Sequence, residues 1–258
     1  MTKKKRVVIK VGTSTLTHDT GKINIRRIER LSQVICDLRH SGCEVVLVSS
    51  GAIAVGFSKL GFDRRPDTVS GKQASSAVGQ SELMSMYGKF FAEFGCQVAQ
   101  ILITKNVLED EQRHSNAVNA FRTLLDWNVV PIVNENDVIS TAEIEFGDND
   151  TLSAVVAELI DADLLIILSD IDGLYDKDPA KYDDAKLIHE VHEVTDALMK
   201  SAGGAGTNRG TGGMVTKLIA AKHAMNAGVD MVILNGNDPA TIYDVLEGKS
   251  VGTKFIAK

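Results

Sequence analysis

The sequence predicts an α/β protein, a three-layer αβα sandwich around a mostly parallel central sheet. Three observations predict it. Apolar runs of strand length alternate with helical patterns along all 258 residues. Those strand runs are nearly continuous in apolar side chains, as strands covered on both faces must be. The composition, 44% hydrophobic and 24% charged with 5% aromatic, supplies enough apolar surface for one large core or for two lobes sharing a sheet.

Val7-Val8-Ile9 reads as the first buried strand. Ile28, Leu31, Ile35 and Leu38 recur at helical spacing, and Gly42 ends that helix. Val45–Val48 is the second strand, and the small residues Ser49-Ser50-Gly51 lead it into a helix start. An Ala- and Met-rich helical region follows over about 70–94, then strand Val98–Ile103, a helix over about 117–127 and strand Val129–Val133. Helix Leu152–Ile160, strand Leu164–Leu168, helix Met214–Met225 and strand Met231–Leu234 complete the series. The expectation is a single domain, 1–258, with a soft boundary near Ala162 that separates lobes 1–162 and 163–258. Ser201–Gly213 carries six glycines and no apolar anchor. It reads either as a flexible connection or as a loop that orders around a ligand.

Several classes are excluded. With 34 acidic against 28 basic residues the net charge is −6, so the global basic footprint of a nucleic-acid binder is absent. No apolar run approaches the roughly 18 residues of a membrane span. Lys3-Lys4-Lys5-Arg6 runs straight into a strand without a signal-peptide core. Cys36, Cys43 and Cys96 are too few for a disulfide framework and lack zinc-ligand spacing, so they read as small core residues of a cytoplasmic protein.

In open α/β sheets ligands sit beyond the carboxyl ends of the strands, and those ends carry the polar motifs. Lys10-Val11-Gly12-Thr13-Ser14-Thr15 can place an ammonium and backbone N–H groups around a phosphate, although taken alone it reads as an ordinary strand-to-loop lysine. Ser49-Ser50-Gly51-Ala52-Ile53 allows close backbone approach at a helix N-terminus, or simply a tight turn. Asn134-Glu135-Asn136-Asp137 is more polar than a turn requires. Asp148-Asn149-Asp150 stands just before the helix carrying Leu152, and capping explains one member but not three. Ser169-Asp170-Ile171-Asp172-Gly173 lacks the ligand ladder and closing Glu of a calcium loop. Gly210-Thr211-Gly212-Gly213-Met214-Val215-Thr216-Lys217 is a glycine loop on a helix N-terminus, an anion site that matches neither the Walker loop nor GxGxxG.

Taken together, KVGTST from Lys10, SSGAIAVG from Ser49, NENDVIS from Asn134, FGDND from Phe146, SDIDGLYDKDP from Ser169 and GTGGMVTK from Gly210 resemble the amino-acid kinase family over essentially the whole chain. The likeness is closest to the branch that phosphorylates the γ-carboxylate of L-glutamate with ATP, the first step of proline biosynthesis. It implies the amino-acid kinase fold and assigns ATP to Lys10, Ser169, Asp170, Thr211, Gly212, Gly213, Met214, Val215, Thr216 and Lys217. Glutamate falls to Ser50, Asp137 and Asn149, and Asp150 is the carboxylate that organises two catalytic lysines, Lys10 and Lys217. Mg²⁺ is expected to arrive on the nucleotide rather than on dedicated protein ligands, and a dimer or tetramer is expected. Some members of the family carry a further C-terminal RNA-binding-like domain, which the sequence to Lys258 does not include. Sibling kinases acting on acetylglutamate, aspartate, carbamate or UMP, and a non-catalytic nucleotide-binding module, are the competing readings. A nicotinamide dehydrogenase lacks its GxGxxG after the first strand.

Overall fold

The computed structural model describes residues 4–18, 22–140, 149–203 and 213–258. Its strands are β1 (Arg6–Val11), β2 (Glu44–Ser49), β3 (Gln97–Ile103), β4 (Val129–Glu135), β5 (Leu164–Ser169), β6 (Glu190–Val191), β7 (Asp230–Asn235) and β8 (Thr253–Phe255). They form one sheet in the order β3-β4-β2-β1-β5-β7-β8-β6. Every pair is parallel except β7 with β8. The short edge strand β6 and its neighbour β8 escape the apolar-run criterion, because two or three residues are too few to show a pattern.

The described helices are α1 (Thr13–Leu16), α2 (Ile25–His40), α3 (Ala52–Lys59), α4 (Val69–Glu93), α5 (Glu111–Asp126), α6 (Asn149–Leu159), α7 (Asp196–Gly203), α8 (Met214–Asn226) and α9 (Thr241–Leu246). Caps explain where several begin. Asn24 accepts from the Arg27 N–H at 3.2 Å and Thr68 from the Gly71 N–H at 3.1 Å. Asp110 accepts from Arg113 N–H at 2.8 Å, so α5 starts six residues before the expected Ala117. Its first turns are polar, and apolar periodicity registers only from Ala117 onward.

Alternation along β1 sorts the layers. Val7, Ile9 and Val11 pack with Ile28 and Leu31 of α2 and with Tyr87 and Phe91 of α4. Val8 packs on the other face, with Leu152 and Val156 of α6 and Leu218 and Ala221 of α8. Lys10 shares the face of Val8 by the two-residue period, so its side chain is sent toward α6 and α8. Both faces of the sheet are therefore covered. Cys36 and Cys96 are buried in the α2–α4 layer, and all three cysteines are free thiols. Among the described residues no helix is long and apolar enough to cross a membrane.

Helices α3 and α4 cross at glycine. A Cβ at Gly56 would lie 1.7 Å from the Ser75 carbonyl oxygen, and one at Gly79 would lie 1.8 Å from that of Ala52. Backbone atoms cannot swing aside, so Gly79→Ala must push the helices apart. It is expected to destabilise by about 1–3 kcal/mol or more. Gly88→Ala, on the same helix with nothing within 4 Å of the added carbon, is the control and should be neutral or stabilising. Urea midpoints of the two variants measure the contrast. Equal midpoints would show that the crossing yields easily.

Candidate active site

The chain runs from β1 outward to β2 and β4 on one side, and later to β5 and β7 on the other. Such a reversal opens a crevice beyond the carboxyl ends of the strands at the switch point. Lys10 projects there from β1. Asn149 and Asp150 are the first two residues of α6, and Lys217 lies in the first turn of α8. Of the triplet expected ahead of a helix, Asn149 and Asp150 fall inside its first turn, and Asp148 lies outside the described residues.

Lys10 Nζ stands 2.5 Å from Asp150 Oδ1, and Lys217 Nζ stands 3.2 Å from Asp150 Oδ2. The three side chains are buried, Asp150 fully and the lysines to within a few per cent. Thr216 Oγ1 adds a contact at 3.2 Å to Asp150 Oδ2 and another at 2.7 Å to the Gly213 carbonyl. Burial would push the Asp150 carboxyl up, but the Lys10 and Lys217 ammonium groups together outweigh it and hold it below the ordinary aspartate value. Two cations on one carboxylate leave this buried cluster with a net positive charge. It is suited to a polyanion.

The other expected residues divide. Ser169 is buried at the end of β5, where its carbonyl accepts from Gly236 N–H at 2.7 Å and its hydroxyl donates to the exposed Asp170 at 3.1 Å. Gly213 caps α8 with an exposed, unobstructed backbone. Met214 and Val215 are half-buried and pack against the core. Thr211 and Gly212, Asp148, and most of the glycine-rich stretch 201–213 lie outside the described residues.

Toward β2 and β4, Asn149 Nδ2 donates to Asn134 Oδ1 at 2.8 Å and to Ser50 Oγ at 3.0 Å. Ser50 reaches that position because Gly51, with φ 103°, turns the chain abruptly into α3. Asp137 is buried and accepts from the Ser76 hydroxyl, while Gln73 Nε2 donates to its carbonyl at 3.0 Å. Burial pushes the Asp137 carboxyl above its usual range, and Ser76 and Arg65 only partly oppose it. Asp137 Oδ1 and Asn149 Oδ1 are buried acceptors without a hydrogen-bond partner among the described residues. Unsatisfied buried oxygens are costly. Two so close to the crevice suit a ligand carrying donors.

Helix α4 contributes residues that the sequence reading passed over. Gln73, Ser76 and Gln80 follow one another at helical spacing and meet Asp137 and Asn134, and Tyr87 Oη pairs with Ser49 Oγ at 2.9 Å. The available signal is a polar stripe at i, i+3 and i+7 in a helix otherwise rich in Ala and Met.

The profile of the amino acid kinase family matches residues 5–235. A glutamate 5-kinase of Clostridium perfringens is 55% identical, covering 98% of this chain and 96% of that protein. One of Clostridium tetani is 52% identical, covering 98% and 95%. Among solved structures, carbamate kinase from Giardia lamblia bound to AMP-PNP superposes with a TM-score of 0.68 at 20% identity, covering 100% of both chains, a likeness of fold. The chain belongs to the amino acid kinase family, and within it to the glutamate 5-kinases.

Proposed function

We propose that this protein transfers the γ-phosphoryl group of ATP to the γ-carboxylate of L-glutamate, giving ADP and γ-glutamyl phosphate, the first step of proline biosynthesis. The observation that carries the reading is the buried Lys10–Asp150–Lys217 array at the switch point. A glutamate carboxylate, with a pKa of about 4.3, is already an anion at neutral pH and needs no general base. A carboxylate oxygen attacks the γ-phosphorus as the bond to the bridging oxygen breaks, and ADP leaves with that electron pair. The barrier is electrostatic, since an anion approaches a polyanion. Lys10 and Lys217 would hold the charge of the in-line transfer from two sides, and Asp150 would keep both ammonium groups aimed.

Residues 163–258 would hold ATP, through Ser169, Asp170, the glycine loop with Thr211 and Gly212, and the first turn of α8. Residues 1–162 would hold glutamate, through Ser50, Asp137 and Asn149. Mg²⁺ would be delivered on the triphosphate rather than held by dedicated protein ligands. Mg²⁺ so delivered would neutralise charge on the phosphates. A homo-oligomer, dimer or tetramer, accords with the half-buried edge strand β3, which leaves a ladder unpaired.

Hydroxamate trapping of the acyl phosphate tests the reaction against a panel of glutamate, N-acetylglutamate, aspartate, carbamate and UMP, with ADP release followed in parallel. Product from glutamate above the rest is the expected result. Preference for another acceptor would assign the site to a sibling reaction.

Asp137 supplies a sharper test. A charge-assisted hydrogen bond contributes about 1.5–3 kcal/mol, so Asp137→Asn is expected to lower kcat/KM for glutamate by roughly 10–150-fold. KM for ATP should barely change. The raised carboxyl pKa adds a sign for stability. An ionised Asp137 weakens the ligand-free fold, and that loss grows as pH rises through the folded value. Asp137→Asn should therefore melt higher than the parent at pH 8, with the difference shrinking toward pH 4. A variant that weakened ATP and spared glutamate would reverse the division of the site.

A further inference from the structure

A chain of amides runs from the exposed Gln100 at the sheet edge through the buried Gln80 and Asn134 to the glutamate side of the crevice, and one backbone group sets its direction. Asn134 Oδ1 accepts from the Glu135 backbone N–H at 2.9 Å. A backbone N–H can only donate, so the oxygen of Asn134 must face that way and its Nδ2 must face α4. There it donates to Gln80 Oε1 at 3.0 Å, and Gln80 Nε2 in turn donates to Gln100 Oε1 on β3 at 3.3 Å. On its other side Asn134 Oδ1 meets Asn149 at 2.8 Å, so Asn149 must present its nitrogen. The Ser49 carbonyl, 3.4 Å from the same nitrogen, demands a donor as well. The Asn149 carbonyl oxygen is then left over. It is buried and has no partner among the described residues.

We propose that Gln80, backed by Gln100, is a positioning residue that holds Asn134 in this orientation and thereby makes Asn149 offer an acceptor, selecting a substrate that carries an ammonium group beside its carboxylates. The inference rests on the glutamate reading above and deepens it. A turned Asn149 would present an NH₂ group, which suits a carboxylate and repels an ammonium. The polarity of one amide thus decides between an amino diacid and a plain diacid. Gln80 touches no reacting atom and acts through Asn134, which separates it from the lysine cluster.

The test compares glutamate with glutarate, which keeps both carboxylates and lacks the ammonium. In Gln80→Met the chain loses its anchor on α4, because methionine fills the space without an acceptor for Asn134 Nδ2. KM for glutamate should rise about three- to tenfold, the share of one neutral hydrogen bond, while the Ki of glutarate as a competitor and KM for ATP stay put. Gln80→Glu retains an oxygen for Asn134, and Gln100 can turn its amide to meet the second one. That variant should restore the preference for glutamate, and it guards against a Met variant that simply folds poorly. Equal changes for glutamate and glutarate in Gln80→Met, or no change for either, would overturn the proposal. So would failure of Gln80→Glu to restore the preference. A parent protein that forms no acyl phosphate from glutamate would instead remove the reading on which it rests, and hydroxamate trapping of the parent distinguishes the two failures.

Discussion

Alanine at Lys10 or at Lys217 is expected to lower kcat by about 10²–10³, the usual consequence of losing one preorganised charge contact in a transition state. The two lysines arrive from different parts of the sequence, Lys10 from the central strand and Lys217 from the first turn of α8, and converge on opposite oxygens of Asp150. Neither is a solvated surface lysine, since both are about 95% buried. Two buried cations that share the carboxylate of Asp150 concentrate positive potential there, and the migrating phosphoryl group is the ligand that would use it. KM for glutamate should move much less than kcat, because the charge being stabilised develops during transfer. Steady-state kinetics with circular dichroism measure this. Near-parental turnover in a folded Lys217→Ala protein would remove that lysine from the transfer step.

The second large effect is at Asp150. Removing its charge leaves two ammonium groups facing one another out of water, and breaking a buried ion pair from one side costs about 3–5 kcal/mol. Asp150→Leu should therefore be both inactive and much less stable to urea at pH 7. Replacing all three groups, Lys10→Met with Asp150→Leu and Lys217→Met, should recover most of the stability, since apolar substitutes for a whole buried ion cluster are commonly tolerated. Activity should not return. The depressed Asp150 pKa also gives a sign to the pH dependence. Its contribution to stability is present above the ordinary value of about 3.9 and is lost as pH falls from there through the folded value. The triple variant should lack that component of acid unfolding. If it unfolded in acid along the parental curve, the cluster would not be a stabilising element of the fold.

Two buried carboxylates of the site bear on stability in opposite ways. Asp150 stabilises the fold by pairing with the lysines, and Asp137 weakens the ligand-free fold by remaining buried with one oxygen unmet among the described residues. Under the proposed division of the site, a bound substrate with donors would relieve the second.

The sequence by itself determined the α/β class, the parallel core strands and the polar segments at their carboxyl ends. These are local properties: strand runs, helical stripes and motif residues register within a dozen positions of one another. It placed Lys10, Asp150 and Lys217 in separate motifs, with no measure of how near they come. The tertiary structure decided that, because the spatial strand order sets β1 beside β5 and the two-residue period aims Lys10 at the face where α6 and α8 pack. Tertiary structure alone also brought in α4. Gln80 lies 54 residues from Asn134 in the chain, and the polar stripe of α4 does not by itself say which strand end its side chains will meet. Hydrogen-bond partners at that separation are chosen by the packing of layers, after the periodic signals that a sequence displays have been spent on forming the elements themselves.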